Sequence, residues 1–287
     1  MTAEGNHRAV AVFDSGVGGL TVVRSLLRTM PGEDIVYLGD SARVPYGIKS
    51  LQTVRRFAME DAAFLGRFAP KLLVVACNTA AAAAGEAIRS VSPAPVVDVI
   101  APGVAAALAS TAGGIGVAAT QATVRSGAYQ RAILAVDPTR EVRAVACPLL
   151  VPIVEEGRDE DDPIVNHVLC DYLHDLQRMR PGALILGCTH YPLLARAIGK
   201  LMGPQTVLIS SAEAAAEEVR RHLEESGLRN PRSAGGRLEC YTTDNPERFA
   251  ELTERFGGRA ADVVHYVGTD ELETLSSSSD RNHENPR

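Results

Sequence analysis

LLVVACNT at residues 72–79 and ALILGCTH at residues 183–190 follow one pattern: a short apolar run, a cysteine, and then small polar residues. Apolar runs of this length are typical of strands that are buried on both faces of a parallel sheet. A helix-like stretch follows each segment, as in a strand-turn-helix unit. The pattern therefore predicts an α/β fold in which Cys77 and Cys188 each end a strand and face the amino end of the next helix.

Apolar runs alternate with helix-like stretches along most of the chain, which is the pattern of parallel sheets covered by helices. The predicted strands are Ala9–Phe13, Ile35–Leu38, Leu72–Ala76, Val96–Val99, Gly116–Ala119, Glu141–Ala146, Ala183–Leu186, Thr206–Ile209 and Leu238–Thr243. The predicted helices are Leu20–Thr29, Leu51–Phe68, Ala80–Ser90, Gly103–Ser110, Val124–Leu134, Pro163–Arg180, Tyr191–Met202 and Ala212–Ser226.

The length of 287 residues exceeds that of a usual single domain. The two halves of the sequence also show a weak internal repeat. Each half has one early polar strand end, Asp14 or Thr120, and one later strand end with a cysteine. We therefore predict two similar open-sheet α/β domains that face each other across a cleft, with the thiols on opposite walls. The expected boundaries are residues 1–102 plus 213–268 for the first domain, 103–212 for the second, and 269–287 for a disordered tail.

The bulk composition, with 46% hydrophobic and 22% charged residues, is that of an ordinary soluble globular protein. A formal net charge of −6 does not provide the excess positive charge that is typical of proteins that bind nucleic acid. Nucleic acid is therefore not an expected partner. No stretch reaches the roughly 18 apolar residues of a membrane span, and the amino terminus lacks the apolar core of a secretion signal. We therefore expect a cytoplasmic protein without a membrane segment.

The cysteine and lysine content argues against several cofactors. The five cysteines are odd in number and include no close pair, which argues against a disulfide framework and a structural zinc site. Pyridoxal phosphate needs a Schiff-base lysine, and none of the three lysines ends an apolar strand. We therefore expect reduced thiols, no metal and no organic cofactor.

The shared setting of Cys77 and Cys188 favours chemistry over packing. A free cysteine is commonly a small buried residue, and for either cysteine alone that would be the preferred interpretation. However, both thiols lie at the strand end where open α/β sheets bind ligands, and packing gives no reason to repeat that context. We expect the adjacent helix terminus to lower the pKa of each thiol.

The segment DSGVGG at residues 14–19 forms a glycine-rich turn between a strand and a helix. Its spacing does not fit a dinucleotide motif, and no lysine follows as in a phosphate-binding loop. Free backbone N–H groups at a helix start suit an anion such as a carboxylate. We therefore expect an anion site there, with Asp14 beside it to orient an ammonium group or relay a proton.

Three further candidates lie near the predicted strand ends. His190 is either a structural histidine or a group that tunes the thiol two residues away. Glu155 and Glu156 are either a solvated pair or part of the site. GDSARVPYG at residues 39–47 is a candidate binding loop in which Tyr46 and the Gly47 backbone hold a substrate carboxylate, although turn chemistry alone explains its proline and glycine.

Several separated motifs together resemble the glutamate racemase family, over a span from about Ala9 to Thr243. These motifs are DSGVGGLTV at residues 14–22, YLGD at 37–40, PYG at 45–47, ACNTA at 76–80, CP at 147–148, VE at 154–155 and GCTHYP at 187–192. One departure is Ala119, because a glycine usually stands before the threonine in that family. The departure concerns only the local backbone.

The resemblance implies a cofactor-independent racemase of L- and D-glutamate that serves bacterial peptidoglycan synthesis and forms a homodimer. It implies that Cys77 and Cys188 exchange the proton, that Asp14 supports Cys77, and that Glu155 and His190 support Cys188. It also implies a set of substrate contacts, namely Asp14, Ser15, Tyr46, Gly47, Asn78, Thr79, Thr189 and His190.

Racemisation requires removal of the α-proton from one face of the amino acid and return of a proton to the other. Two opposed thiols, one a thiolate and one protonated, suit that task. Another amino-acid racemase of the same superfamily, such as an aspartate racemase, is the nearest alternative, and the PYG and GCTH contexts favour glutamate. A different alternative is a gyrase-binding regulator with a residual amino-acid pocket.

Overall fold

A computed structural model describes residues 6–275. Its strands are β1 Val10–Asp14, β2 Ile35–Gly39, β3 Leu72–Val75, β4 Val96–Asp98, β5 Ile115–Ala119, β6 Val142–Ala146, β7 Ala183–Gly187, β8 Val207–Ser210, β9 Leu238–Thr242 and β10 Val263–Tyr266. Its α-helices are α1 Leu20–Thr29, α2 Leu51–Gly66, α3 Asn78–Val91, α4 Ile100–Ser110, α5 Gln121–Ser126, α6 Ala128–Val136, α7 Leu150–Glu155, α8 Pro163–Met179, α9 Ala195–Met202, α10 Ser211–Glu225 and α11 Pro246–Gly257.

The strands form two parallel sheets, which confirms the predicted α/β fold. The larger sheet has the order β10-β9-β2-β1-β3-β4, and the smaller sheet has the order β6-β5-β7-β8. Every residue of β1, β2, β3, β5 and β7 is buried, as expected where helices cover both faces of a parallel sheet. This burial explains the uninterrupted apolar runs in the sequence.

The topology places chemistry-bearing strand ends side by side. In the larger sheet β1 lies between β2 and β3, so Asp14 at the end of β1 lies near Cys77, which follows β3. In the smaller sheet β5 lies beside β7, so Thr120 and Cys188 follow neighbouring strands. After α10 the chain returns to the larger sheet, where β9 pairs with β2. The exact domain boundaries stay a prediction.

The carboxyl-terminal region differs from the expectation in two respects. Helix α11 and strand β10 are additional elements that the sequence pattern did not indicate. The predicted disordered tail at 269–287 was placed too early, because residues 269–275 are helical and Leu272 is fully buried in the core. Its remainder, 276–287, lies outside the described residues. Within residues 6–275, no helix has both the length and the apolar character needed to span a bilayer.

Candidate active site

A cavity of about 410 Å³ lies between the strand ends of the two sheets. The site residues predicted from the sequence line it, except for Asp14, which is buried behind the wall, and Glu156, which is exposed outside it. Cys77 and Cys188 both reach the cavity, and each residue is only 5% exposed. The structure therefore brings the two thiols of the repeated pattern into one enclosed space.

Cys77 lies between the glycine-rich turn and the start of α3. Its Sγ accepts a hydrogen bond from the Ala80 N–H at 3.5 Å and donates to Ser15 Oγ at 3.7 Å. Burial, reinforced by the nearby charge of Asp14, raises the pKa of the Cys77 thiol to about 12. In the thiolate form the sulfur can instead accept from both Ala80 and Ser15, which lowers the pKa but only partly offsets the desolvation.

Asp14 is 1% exposed and links the two sheets behind the cavity wall. It accepts a hydrogen bond from the Gly16 N–H at 3.0 Å and one from Thr189 Oγ1 at 3.4 Å. Burial raises the pKa of Asp14, while the charge of His190 and the hydrogen bonds lower it. The Gly16 N–H of the turn is thus satisfied by the protein's own carboxylate, contrary to its expected role in binding a ligand anion.

Gly18 permits a close approach between this turn and the second sheet. A Cβ atom at this position would lie 2.4 Å from both Thr189 Oγ1 and His190 Cε1. The second glycine of the turn is therefore required by packing against the neighbours of Cys188. This packing requirement accounts for the glycine at position 18 without a bound dinucleotide.

Cys188 has a different set of partners on the opposite wall. Its Sγ lies 3.8 Å from His190 Nδ1, and His190 Nε2 lies 2.9 Å from Glu155 Oε1. The His190 side chain is 5% exposed whereas that of Glu155 is 30% exposed, so the pair leads from the buried thiol towards solvent. Burial raises the pKa of Cys188 well above its usual value, and the charges of Asp14 and Cys77 add to this effect.

The expectation of lowered thiol pKa values was wrong, because both values are raised. A helix terminus does stabilise a thiolate, but each thiol here is almost completely removed from water. Desolvation is the largest influence on both groups, and the neighbouring carboxylate acts in the same direction. Burial therefore disfavours the thiolate form of both cysteines, and a positive charge or a base beside them would favour it.

Asn78 offers an unused hydrogen-bond donor. Tyr129 Oη donates to Asn78 Oδ1 at 2.5 Å, which fixes the orientation of the amide. Among the described residues, the buried Asn78 Nδ2 has no hydrogen-bond partner. A buried amide donor is costly to leave unpaired, so a cavity ligand with an acceptor oxygen is its natural partner.

Thr79 belongs to a cluster of three hydroxyl groups that joins the two sheets. Its Oγ1 lies 2.9 Å from Thr120 Oγ1 and 3.1 Å from Thr123 Oγ1. Thr120 also lines the cavity but was not predicted as a site residue. The sequence pattern already placed Thr120 at a strand end in the second half, as the counterpart of Asp14 in the first half. That position could have identified it as a site residue.

The loop at residues 39–47 contributes to the cavity differently from the expectation. The Tyr46 hydroxyl bonds to Asp40 and lies 2.9 Å from Asp61 Oδ2, and the residue is 1% exposed. Its hydroxyl is therefore committed to these carboxyl groups, and only its ring and backbone remain for a ligand. A Cβ atom at Gly47 would lie 2.7 Å from Thr120 Cβ, so a glycine allows the loop to approach the second sheet.

Arg43 anchors the same loop. Its guanidinium group forms ion pairs with Asp40, Glu60 and Asp61, and all three carboxylate side chains are almost fully buried. Burial, together with the charge of Asp40, raises the pKa of Asp61 well above its usual value. A single arginine thus holds the base of the loop against α2.

Known proteins that resemble this chain are racemases. The Asp/Glu/Hydantoin racemase family model matches residues 15–219. The glutamate racemase of Geobacter metallireducens is 45% identical over 258 residues, which cover 89% of this chain and 95% of that protein. The glutamate racemase of Thermus thermophilus is 48% identical over 263 residues, which cover 92% of this chain and 97% of that protein.

Solved structures show the same relationship. A glutamate racemase isoform from Bacillus anthracis superposes with a TM-score of 0.87 at 40% identity, covering 91% of this chain and 98% of that one. The Francisella tularensis glutamate racemase, solved in complex with D-glutamate, gives a TM-score of 0.84 at 38% identity, covering 92% and 97%. From its fold, its paired strand-end cysteines and these similarities, the chain belongs to the Asp/Glu/Hydantoin racemase family.

Proposed function

We propose that this protein interconverts L- and D-glutamate by cofactor-independent proton transfer between Cys77 and Cys188. The observation that carries the proposal is the placement of two buried thiols in one cavity, each with its own acidic partner nearby. The charge of Cys77 acts on the pKa of Cys188, so the two thiols lie within electrostatic reach of each other. This proximity suits two groups that act on one carbon atom.

In the proposed reaction one cysteine is a thiolate and the other is a thiol. The thiolate takes the α-proton, and the electron pair of the C–H bond moves onto the α-carbon and its carboxylate. The opposite thiol then donates its proton to the other face of that carbon. The product is the other enantiomer, and the two sulfur atoms have exchanged protonation states.

Because burial raises the pKa of both thiols, the proposed reaction generates the thiolate when the substrate binds. The positively charged α-ammonium group of an amino acid stabilises a nearby thiolate by Coulomb attraction. On the Cys188 side, the His190 and Glu155 pair can also accept the proton that leaves the thiol. On the Cys77 side, Asp14 is the nearby carboxyl group and Ser15 is the direct hydrogen-bond partner.

The carbanionic transition state requires hydrogen-bond donors placed in advance. The free Nδ2 of Asn78, the hydroxyl group of Ser15 and the threonine cluster at Thr79 supply such donors around the cavity. Fixed donors in a dry site stabilise developing negative charge without the reorganisation that water needs. These groups can therefore bind the carboxylate groups of the substrate and support the charge that forms on proton loss.

The choice of glutamate rests on the relatives, which are glutamate racemases at 44–48% identity, and on the Francisella tularensis relative solved with D-glutamate. As the resemblance implies, we further propose that the D-glutamate serves peptidoglycan synthesis and that a homodimer acts in the cytoplasm. An aspartate racemase of the same superfamily is the second candidate.

Incubation of the purified protein with L-glutamate in deuterated water tests the proposal. We expect loss of optical activity and deuterium at the α-carbon of the D-glutamate that forms, measured by circular dichroism and mass spectrometry. L-Aspartate in a parallel reaction distinguishes the superfamily alternative, because faster racemisation of aspartate would replace glutamate as the substrate. Glutamate binding without any α-deuterium would contradict the enzyme proposal and favour a regulator with a residual pocket.

A further inference from the structure

Helix α11 lies beyond residues 15–219, the part of the chain that the family model matches. It begins after β9, and its apolar face packs against the core through Phe249 and Phe256. Its last turn also approaches the partners of Cys188. Of two consecutive residues in that turn, Phe256 contacts His190, and Arg255 contacts Val154, the residue directly before Glu155.

The Phe256 ring restrains the His190 imidazole. Phe256 is fully buried, and its ring lies edge-on to the imidazole, with 5.6 Å between the ring centroids and an interplanar angle of 79°. This is a favourable arrangement for two aromatic rings. Rotation of the imidazole about its χ2 angle would break this contact. Phe256 therefore restrains the plane of the imidazole ring, and the contacts of Nδ1 with Cys188 and of Nε2 with Glu155 select its orientation within that plane.

Arg255 binds the backbone next to the other member of the pair. Its Nη2 donates a hydrogen bond to the Val154 carbonyl oxygen at 2.6 Å. Val154 lies in the last turn of α7, directly before Glu155, and its carbonyl oxygen also accepts from the Gly157 N–H at 3.1 Å. A cation near the carboxyl end of a helix is favourable. Arg255 thereby ties the end of α7, which carries Glu155, to a helix that packs on the other sheet.

We propose that the last turn of α11 positions the His190 and Glu155 pair, with Phe256 and Arg255 as positioning residues, and so controls proton transfer at Cys188. The inference rests on the proposed function, because it assigns this turn to one of the two thiols. The hydrogen-bond partners of Cys77 come instead from Ser15 and Ala80, which belong to the glycine-rich turn and to α3.

A one-sided control of this kind has a kinetic signature. In a two-thiol reaction, each substrate enantiomer is deprotonated by a different thiol. Weakening the pair beside Cys188 makes proton removal by Cys188 more fully rate-limiting. The primary isotope effect measured with α-deuterated glutamate should therefore rise for one enantiomer and fall for the other. A change that merely loosens the fold would affect both enantiomers alike.

The test compares Arg255→Met and Phe256→Leu with the wild-type protein. We expect kcat to fall about 10- to 100-fold with KM unchanged, as for a small misplacement of a reacting group. The isotope effects of the two enantiomers should diverge in both variants, and Arg255→Lys, which keeps a donor, should restore most of the activity. If the isotope effects of the L and D enantiomers stay as in the wild-type protein in both Arg255→Met and Phe256→Leu, the inference is overturned.

Arg259→Met is the matched control, because Arg259 also donates from this region to a backbone carbonyl, that of Gly236 at 3.1 Å, but away from the cavity. It should leave both isotope effects at their wild-type values, and divergence of the two effects in Arg259→Met would overturn the inference.

Substrate-free protein provides an independent readout through the ¹⁵N resonances of the His190 ring. These resonances should shift in Arg255→Met but not in Arg259→Met. If the wild-type protein does not racemise glutamate, the proposed function fails, and these resonances alone decide the inference.

Discussion

Cys77 and Cys188 occupy matching places in the two sheets but differ in their surroundings. Each follows a fully buried parallel strand, and each is 5% exposed. Cys77 caps the long helix α3, and its nearby carboxyl group, Asp14, is almost completely buried. Cys188 is followed by a short 3-10 turn at Tyr191–Leu194. Its neighbour His190 contacts the sulfur through Nδ1 and Glu155 through Nε2.

The difference shows that the strand end fixes where a thiol lies, whereas its neighbours fix what the thiol can do. Both sulfur atoms share the burial that holds them neutral. Only the Cys188 side has a histidine in contact with sulfur, and it connects to a carboxylate that is 30% exposed. The Cys77 side has a carboxyl group with no comparable exposure. The His190 and Glu155 pair therefore connects Cys188 to a partly exposed carboxylate.

Replacement of either thiol is expected to have the largest effect. Cys77→Ser and Cys188→Ser should each lower kcat by about 10³-fold or more, because a serine hydroxyl is a far weaker acid than a thiol and cannot serve as the alternate base. Racemisation followed by circular dichroism measures the change, and far-UV spectra check that each variant is folded. Cys170→Ser, at an exposed cysteine, is the control. Full turnover in either active-site variant would exclude the two-thiol mechanism.

Replacement of Asp14 is expected to have a smaller and one-sided effect. Asp14→Asn keeps an oxygen that can accept from the Gly16 N–H but removes the carboxyl group whose charge acts on the pKa of Cys77. We expect kcat to fall about 10- to 100-fold. The isotope effects of the two enantiomers should diverge in the direction opposite to that of Arg255→Met.

Measurements with both α-deuterated enantiomers decide this prediction. Asp171→Asn, at an exposed position on α8, is the control and should leave both isotope effects unchanged. Divergence in the same direction for Asp14→Asn and Arg255→Met would mean that the two carboxyl groups do not serve different thiols. The contrast between the two walls would then be structural only.

The sequence carried enough information to predict the sheets and the position of both thiols. Fully buried strands must be apolar along their whole length, so runs such as residues 72–76 and 183–187 stand out from the rest of the chain. Parallel strands also bring their carboxyl ends to one edge, which places Asp14 near Cys77 without any knowledge of side-chain packing. The roles of individual residues came from the family resemblance rather than from these patterns.

The features that were missed depend on contacts between distant parts of the chain. Asp61 lies on an amphipathic helix, and nothing local indicates that it is buried against Arg43 and Tyr46. The direction of the Cys77 pKa shift depends on the depth of the cavity, which a strand-end pattern does not measure. Helix α11 was overlooked because charged residues dominate its sequence, although Phe249 and Phe256 mark a buried face.

The smallest expected effect is on the pH dependence of the free energy of unfolding, and it tests the burial that Cys77 and Cys188 share. In the folded protein, the pKa of Cys77 is raised to about 12, and that of Cys188 is raised further, from an ordinary value of 9.0. The unfolded chain therefore ionises first as the pH rises. Each thiol contributes stability that is complete below about pH 9 and is lost between about pH 9 and pH 12.

At pH 10 the loss amounts to about 1 kcal/mol for each of these thiols. Urea unfolding at pH 8 and pH 10 measures it as the fall in the free energy of unfolding. The fall should be smaller by about 1 kcal/mol in Cys77→Ala than in the wild-type protein, and by a similar amount in Cys188→Ala. Cys170→Ala should behave as the wild type, because this thiol is exposed. If Cys77→Ala and the wild type lose equal stability, the Cys77 thiol ionises at the same pH in both states, and burial does not hold it neutral.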